Sequence, residues 1–258
     1  MKIIGPIIDN FKNITDVKAI ALAGSRTVKS ADSTSDYDVY IYSDKDIDLD
    51  KRTQIAKKYA DKFEINNQFF GPGDEWILKD SGIQFDVMYR SREWMENSIE
   101  NTWLKHYPSV GYSTCFVFNV KNSKPLYDPE GWYKNLQTKV SGEYPEQLSK
   151  NIINNNLPLL KNKISASFYE QVQKALKRED YVSLNHRIAA FVASYFDTLF
   201  AANKVLHPGE KRLVQYTKLH CKKIPENFEA DINSITKEPM KNTLEVLSRL
   251  NKNLMKII

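Results

Sequence analysis

The chain has 258 residues, 41% of them hydrophobic, and a formal net charge of +5. That is enough apolar material to bury a sizeable core in one or two domains, and no apolar run approaches the roughly 20 residues that span a bilayer. The charge is uneven: residues 1–120 carry 15 Lys and Arg against 18 Asp and Glu, and residues 121–258 carry 22 against 14. An acidic half and a basic half suit a polyphosphate held between them, and the basic half also admits nucleic acid. For most of these lysines a solvated helix face is explanation enough. Cys115 and Cys221 lie far apart without metal-ligand spacing, which reads as two free thiols in a reducing cytoplasm. The start of the chain lacks the apolar core and small-residue cleavage site of a signal peptide.

In chain order, Ile7 to Ile14 is expected to be a helix and Asn13-Ile14-Thr15-Asp16 a turn. Val17 to Ala23 is an apolar run that reads as a buried strand. Gly24-Ser25 opens a turn, and Arg26-Thr27-Val28 begins a short helix. Lys29 to Ser35 is a polar loop, and Tyr37 to Tyr42 is the second strand. Asp48 to Phe63 has helical spacing, with Ile55, Tyr59 and Phe63 on one face and Asp50 as its cap. Ile65 to Phe70 reads as a strand, punctuated by Gly71-Pro72-Gly73-Asp74. Ile83 to Tyr89 is a further strand, with Arg90 and Arg92 just after it. Ser91 to Leu104 reads as an imperfect helix in which one of Trp94 and Trp103 is exposed. His106 to Tyr112 is an aromatic loop, Thr114 to Val120 a β-type run, and Lys124 to Pro129 a break suited to a linker. Beyond it come helices: Glu146 to Ile164 with a kink or break at Pro158, Ala166 to Arg178, Asp180 to Val205, Glu210 to Cys221, Pro225 to Ile235 and Met240 to Ile258. The expected fold is an α/β (α+β) domain with a mixed sheet, residues 1–125, followed by an all-α helical bundle, residues 126–258.

The chemistry concentrates early. Asp36 and Asp38 are two residues apart, so a strand puts both on one face. Such a pair repels unless a cation sits between, and Mg²⁺ is bound through one or two carboxylates plus substrate phosphates. Gly24-Ser25, leading into a helix, offers backbone N–H groups and a hydroxyl to phosphate oxygens. Asp86 adds a third carboxylate on a later strand. Arg26 and Lys211 are candidate phosphate contacts, with Lys204 and Arg212 behind them. Glu75 is an alternative base to Asp86, although a solvated loop carboxylate is the simpler reading. His186 reads as a core or surface histidine rather than a ligand.

Ala21-Leu22-Ala23-Gly24-Ser25 with Asp36-Tyr37-Asp38-Val39 resembles the signature of the DNA polymerase beta-like nucleotidyltransferase superfamily, and Phe85-Asp86-Val87 resembles its third acidic strand. A short N-terminal domain ahead of a helical one is similar to the small-molecule branch, with its aminoglycoside and lincosamide nucleotidyltransferases. The stretch Ala201 to Leu213 is similar to the helical domain of bacterial members of that branch. The resemblance implies metal ligation by Asp36 and Asp38. It implies either metal ligation or proton abstraction by Asp86, and it implies phosphate binding by Gly24 and Ser25. The activity it implies is Mg²⁺-dependent transfer of a nucleoside monophosphate, AMP from ATP, to a hydroxyl of a small acceptor, an antibiotic among the candidates. Transfer to protein or RNA, and a non-catalytic nucleotide- or RNA-binding protein, are the alternatives.

Overall fold

The computed structural model describes residues 3–27, 35–69, 71–79, 81–163 and 166–258. The chain divides into two compact units, Met1–Ile99 with Asn119–Gly142, and Glu100–Phe118 with Glu143–Ile258. The first is built on a six-stranded mixed sheet and the second on helices.

In the first unit the order of elements is α1 (Gly5–Lys12), β1 (Val17–Ala23), β2 (Tyr37–Ser43), α2 (Leu49–Tyr59), β3 (Ala60–Asn67), β4 (Gly73–Leu78), β5 (Gln84–Arg90) and α3 (Arg92–Ile99). After α4 (Cys115–Asn122) come β6 (Lys124–Tyr127) and α5 (Trp132–Lys139). The sheet order is β3-β4-β5-β2-β1-β6. The β2–β5 pair is parallel and the other pairs are antiparallel. Along β5 burial alternates strictly. Phe85, Val87 and Tyr89 pack in one core with Val39, Ile41, Trp76, Leu78, Ile7, Phe11 and Ile55, while Gln84, Asp86 and Met88 are half-buried on the opposite side.

Several local expectations give way to the sheet. The helical pattern of Asp48 to Phe63 stops at Tyr59, where Ala60 turns extended, and residues 60–64 join β3 instead. Cross-strand partners on β4 override helical spacing there. Asp48, rather than Asp50, caps α2, accepting from the N–H groups of Asp50 at 2.9 Å and Lys51 at 3.1 Å. The β-type run Thr114 to Val120 is helical in α4, with Val117 and Val120 buried; a short apolar run does not by itself distinguish strand from helix. The break at Lys124-Pro125 is a strand, β6, antiparallel to β1. Proline is tolerated there because the strand is an edge. Asp128 then starts α5, accepting from the N–H groups of Tyr133 and Lys134 at 3.0 Å each. Trp103 is buried and Trp94 exposed, with the end of the Ser91–Leu104 segment wound as a π-turn, Glu100–Leu104. The expected helix at Val28 and the loop Lys29 to Thr34 lie outside the described residues, as do Phe70 and Ile164.

A buried ion pair fastens α2 to the sheet. Arg52 donates from Nε to Asp74 Oδ2 at 3.0 Å and from Nη2 to Asp74 Oδ1. Tyr89 Oη donates to the same carboxylate at 2.6 Å, and so does the Asn66 N–H at 2.8 Å. The guanidinium lies 4.1 Å from the Tyr89 ring centroid.

The second unit contains α6 (Glu146–Leu160), α7 (Phe168–Lys177), α8 (Tyr181–Ala202), α9 (Leu213–His220), α10 (Phe228–Lys237) and α11 (Thr243–Met255). Pro158 falls in the last turn of α6, which ends two residues later. The α8 stripe of Leu184, Ile188, Phe191, Tyr195 and Leu199 is core, packed with Val172, Phe228, Ile232, Leu247 and Leu250. Ser167 caps α7 and Asp180 caps α8. Inside this unit Asp197 is almost wholly buried. Burial pushes its carboxyl up to about 6, while hydrogen bonds from the Ser113 hydroxyl and N–H oppose the rise. Those bonds, at 2.6 and 3.0 Å, and one from Asn156 at 3.2 Å, tie the aromatic loop to α6 and α8.

The Arg52–Asp74 pair predicts a measurable asymmetry. Asp74→Ala leaves a buried guanidinium without its charge partner and is expected to lower unfolding free energy by about 3–5 kcal/mol. Urea titration of the variant against the parent chain checks this, and a loss below about 1 kcal/mol contradicts it.

Candidate functional site

The site forms where β1 ends beside β2. Ala23 and Asp38 are direct partners across that antiparallel pair. Gly24 follows at φ +68, a conformation that favours glycine. A Cβ on Gly24 would lie 1.8 Å from Asp38 Oδ2 and 2.6 Å from its Cγ. The absence of a side chain at Gly24 therefore lets the Asp38 carboxylate lie against the turn. Gly24–Thr27 winds as a single 3₁₀ turn, closed by the Thr27 hydroxyl donating to the Gly24 carbonyl at 2.9 Å. Ser25 is half-buried within it.

Parallel pairing then sets Asp38 directly opposite Asp86. Asp86 is in turn opposite Glu75 on β4, and Glu75 is opposite Glu64 on β3. The result is a row of four carboxylates across four adjacent strands. Asp38 and Asp86, toward the centre of the sheet, are half-buried, and Glu75 and Glu64, toward its edge, are exposed. Burial pushes the Asp86 carboxyl up to about 6. Gln84, two residues earlier on the same strand face, opposes this by donating from Nε2 to both carboxylate oxygens, at 3.1 and 3.2 Å. The negative charges of Asp38, Glu75 and Asp36 add to the rise.

The expected site residues separate into groups. Gly24, Ser25, Asp36, Asp38 and Asp86 lie on the turn, at the entry to β2 and on β5, and the charges of Asp36 and Asp38 are felt at Asp86. Arg26 turns back on the chain: Nε donates to the Asp36 carbonyl at 3.1 Å, Nη2 donates to the Ser35 carbonyl, and the guanidinium lies 3.9 Å from the Tyr37 ring centroid. It braces the entry to β2. Lys211 belongs to the second unit and is exposed, next to Arg212, which precedes α9. Lys204 pairs with Glu146, and His186 is exposed. Gln84 is the residue that sequence reasoning passed over. Its signal was present in the period of two that puts it on the face of Asp86.

Among the described residues, no group of three or more His, Cys, Asp or Glu is arranged to hold a metal ion unaided. The donor set nevertheless suits a hard divalent cation. Mg²⁺ needs only one or two protein carboxylates when substrate phosphates and water complete its shell, and the mutual repulsion felt at Asp86 is what such a charge relieves.

Two expectations follow. Asp86 binds its proton more tightly in the folded chain, at about 6 against an ordinary 3.8. Its contribution to stability is therefore present below about 4 and is lost as pH rises through about 6. Asp86→Asn should gain on the parent chain over that range, by on the order of 1 kcal/mol after discounting for solvent screening of a half-exposed group. Urea titrations at pH 4.5 and 7.5 check this, and a difference that does not change with pH contradicts it. Gly24→Ala is expected to cost about 1 kcal/mol through its positive φ. It also displaces the Asp38 carboxylate, so a loss of divalent-cation binding by calorimetry should exceed what that small destabilisation explains.

Residues 6–71 match the family model described as Polymerase beta, Nucleotidyltransferase, and residues 112–213 match one described as Domain of unknown function (DUF4037). No curated protein matches the chain. A crystal structure of a nucleotidyltransferase-like protein from Exiguobacterium sibiricum 255-15 is similar at 9% identity and a TM-score of 0.45, covering 99% of this chain and 74% of that one. No helix among the described residues is long and apolar enough to cross a membrane. The family match over residues 6–71 supports a polymerase beta-like nucleotidyltransferase fold for the part of the chain that carries Gly24, Ser25, Asp36 and Asp38.

Proposed function

We propose that the protein is a Mg²⁺-dependent nucleotidyltransferase of the bacterial cytoplasm that moves AMP from ATP to a hydroxyl of a small molecule. The observation that carries this reading is the register that sets Asp38 opposite Asp86, with the Asp38 carboxylate lying against the Gly24 turn. It puts carboxylates beside a backbone turn that can approach phosphate closely, which is the equipment of phosphoryl and nucleotidyl transfer.

In this reading Asp36 and Asp38 hold the cation, with Asp86 as third ligand or as base. Gly24 offers its N–H, and Ser25 its N–H and hydroxyl, to the β- and γ-phosphate oxygens. Arg26 acts on the site by holding the Ser35–Tyr37 entry in place, and Lys211 remains a candidate contact to the phosphates. The acceptor oxygen forms a bond to the α-phosphorus, the bond from that phosphorus to the bridging oxygen breaks, and pyrophosphate leaves. The acceptor proton goes to a carboxylate, and Asp86 suits the role by position, on the strand directly beside Asp38. A bound divalent cation supplies neutralisation of the charge developing on the attacking and leaving oxygens. The protein's own contribution is positioning and a preorganised field. The basic second half keeps an RNA acceptor as a second reading, whose mark is steeply salt-dependent RNA binding.

The test is pyrophosphate release from each of the four nucleoside triphosphates with Mg²⁺, against aminoglycosides, lincosamides, simple sugars and tRNA. Release that needs one acceptor, and that falls by on the order of a hundredfold or more in Asp38→Asn, is the expected result. Unchanged turnover in a folded Asp38→Asn chain removes the metal assignment. Tight nucleotide binding with no release for any acceptor favours a binding protein.

A further inference from the structure

β3 is an edge of the sheet, and among the described residues it pairs with β4 alone. Asp61, Lys62, Phe63 and Glu64 are all exposed, and Phe63 leaves 37% of its surface in solvent. An edge of this kind presents a row of backbone N–H and C=O groups to any strand that can lie beside it. Its regular length runs from Lys62, after a β-bulge at Asp61, to Ile65. Asn66 turns to φ +63 and its N–H is already engaged by Asp74.

The order of side chains along this edge is self-complementary. When a second copy extends the sheet antiparallel about a two-fold axis perpendicular to it, every residue keeps its own face. Directly opposed residues then have numbers of equal parity. With the axis at Phe63, Lys62 faces Glu64 of the second copy, Glu64 faces its Lys62 and Phe63 faces Phe63, all within the stretch 62–65 that pairs residue for residue with β4. With the axis one residue earlier, Lys62 faces Lys62; one residue later, Glu64 faces Glu64. Of these three registers only the one centred on Phe63 joins opposite charges, twice by symmetry, around an aromatic pair. Cross-strand pairs of both kinds stabilise a sheet, and like charges directly opposed destabilise it.

We propose that β3 is a homodimer interface, in which two copies of this chain pair antiparallel through residues 62–64, past the bulge at Asp61, with the two-fold axis at Phe63. Two six-stranded sheets join into one, and because each copy keeps its faces, both rows of carboxylates lie on the same side of the joined sheet. The rival reading is that Asp61, Lys62 and Glu64 are guard charges that keep the edge from pairing, a common use of charge on edge strands.

Sedimentation velocity of the full chain over a range of concentrations separates the two. The parent chain is expected to dimerise reversibly. Lys62→Glu sets Glu against Glu, and Glu64→Lys sets Lys against Lys. Each should weaken dimerisation about tenfold or more. The double variant Lys62→Glu with Glu64→Lys should restore it. An equimolar mixture of the two single variants should also form a heterodimer, because one then carries acids at both positions and the other bases. The mixture doubles as a folding control, since two misfolded chains do not rescue each other. A parent chain that stays monomeric at the highest concentration overturns the proposal, and so do single variants that dimerise as tightly as the parent.

Discussion

The parallel register between β2 and β5 is the constraint on which the first unit depends. Parallel neighbours cannot be joined by a tight turn, so the chain must make a long excursion between them. Here that excursion is α2 followed by the β3–β4 hairpin, which returns on the far side of β5. The register itself is held by the core. Val39 and Ile41 on one strand, with Phe85, Val87 and Tyr89 on the other, are buried on the helix side of the sheet. A slip of one residue would carry Asp38 or Asp86 into that core and turn valines to solvent, so the apolar face enforces the position of the polar one. The Arg52–Asp74 pair completes the clamp by tying α2, the start of the excursion, to β4 and, through the Tyr89 hydroxyl, to β5.

Three carboxylates taken out of water meet three different solutions. Asp74 lies opposite a guanidinium and accepts two further hydrogen bonds. Asp197 accepts from neutral donors, Ser113 and Asn156, and burial leaves its carboxyl raised. Asp86 accepts from a neutral donor, Gln84, and faces other acids. The first arrangement stabilises structure and the second positions a loop. The third is unfavourable as it stands, and carboxylates left in that condition beside a glycine turn are where a cation and phosphates have something to offset.

The strands that carry the site were legible as short apolar runs bounded by polar residues, and in the Asp86 strand alternation is strict. Val17 to Ala23, Tyr37 to Tyr42 and the Asp86 strand all lie where their patterns put them. What escaped was decided by partners distant in sequence. Residues 60–64 have acceptable helical spacing, and only β4 draws them into a strand. Pro125 reads as a break, yet β1 offers it an edge on which its missing N–H costs nothing. The bracing role of Arg26 depends on carbonyls at Ser35 and Asp36 that no local window contains. Gln84 is different: it shares a strand face with Asp86 by the same period that exposed Asp36 and Asp38, and the rule was not carried one strand further.

Magnitudes decide how far along the carboxylate row the chemistry extends. Adjacent strands stand about 4.8 Å apart. At that spacing two unit charges repel by about 3 kcal/mol at an effective dielectric of about 20, and by less than about 1 kcal/mol in bulk water. Asp38 and Asp86, half-buried, belong to the first regime, while Glu75 and Glu64, exposed, belong to the second. The pull on a cation is therefore concentrated at the inner pair, beside Gly24, and falls away toward β3. There Glu64 shares the exposed strand edge with Lys62. One sheet face thus carries carboxylates in two settings, separated by burial alone: a half-buried pair, Asp38 and Asp86, whose charges repel, and an outer, solvated pair, Glu75 and Glu64.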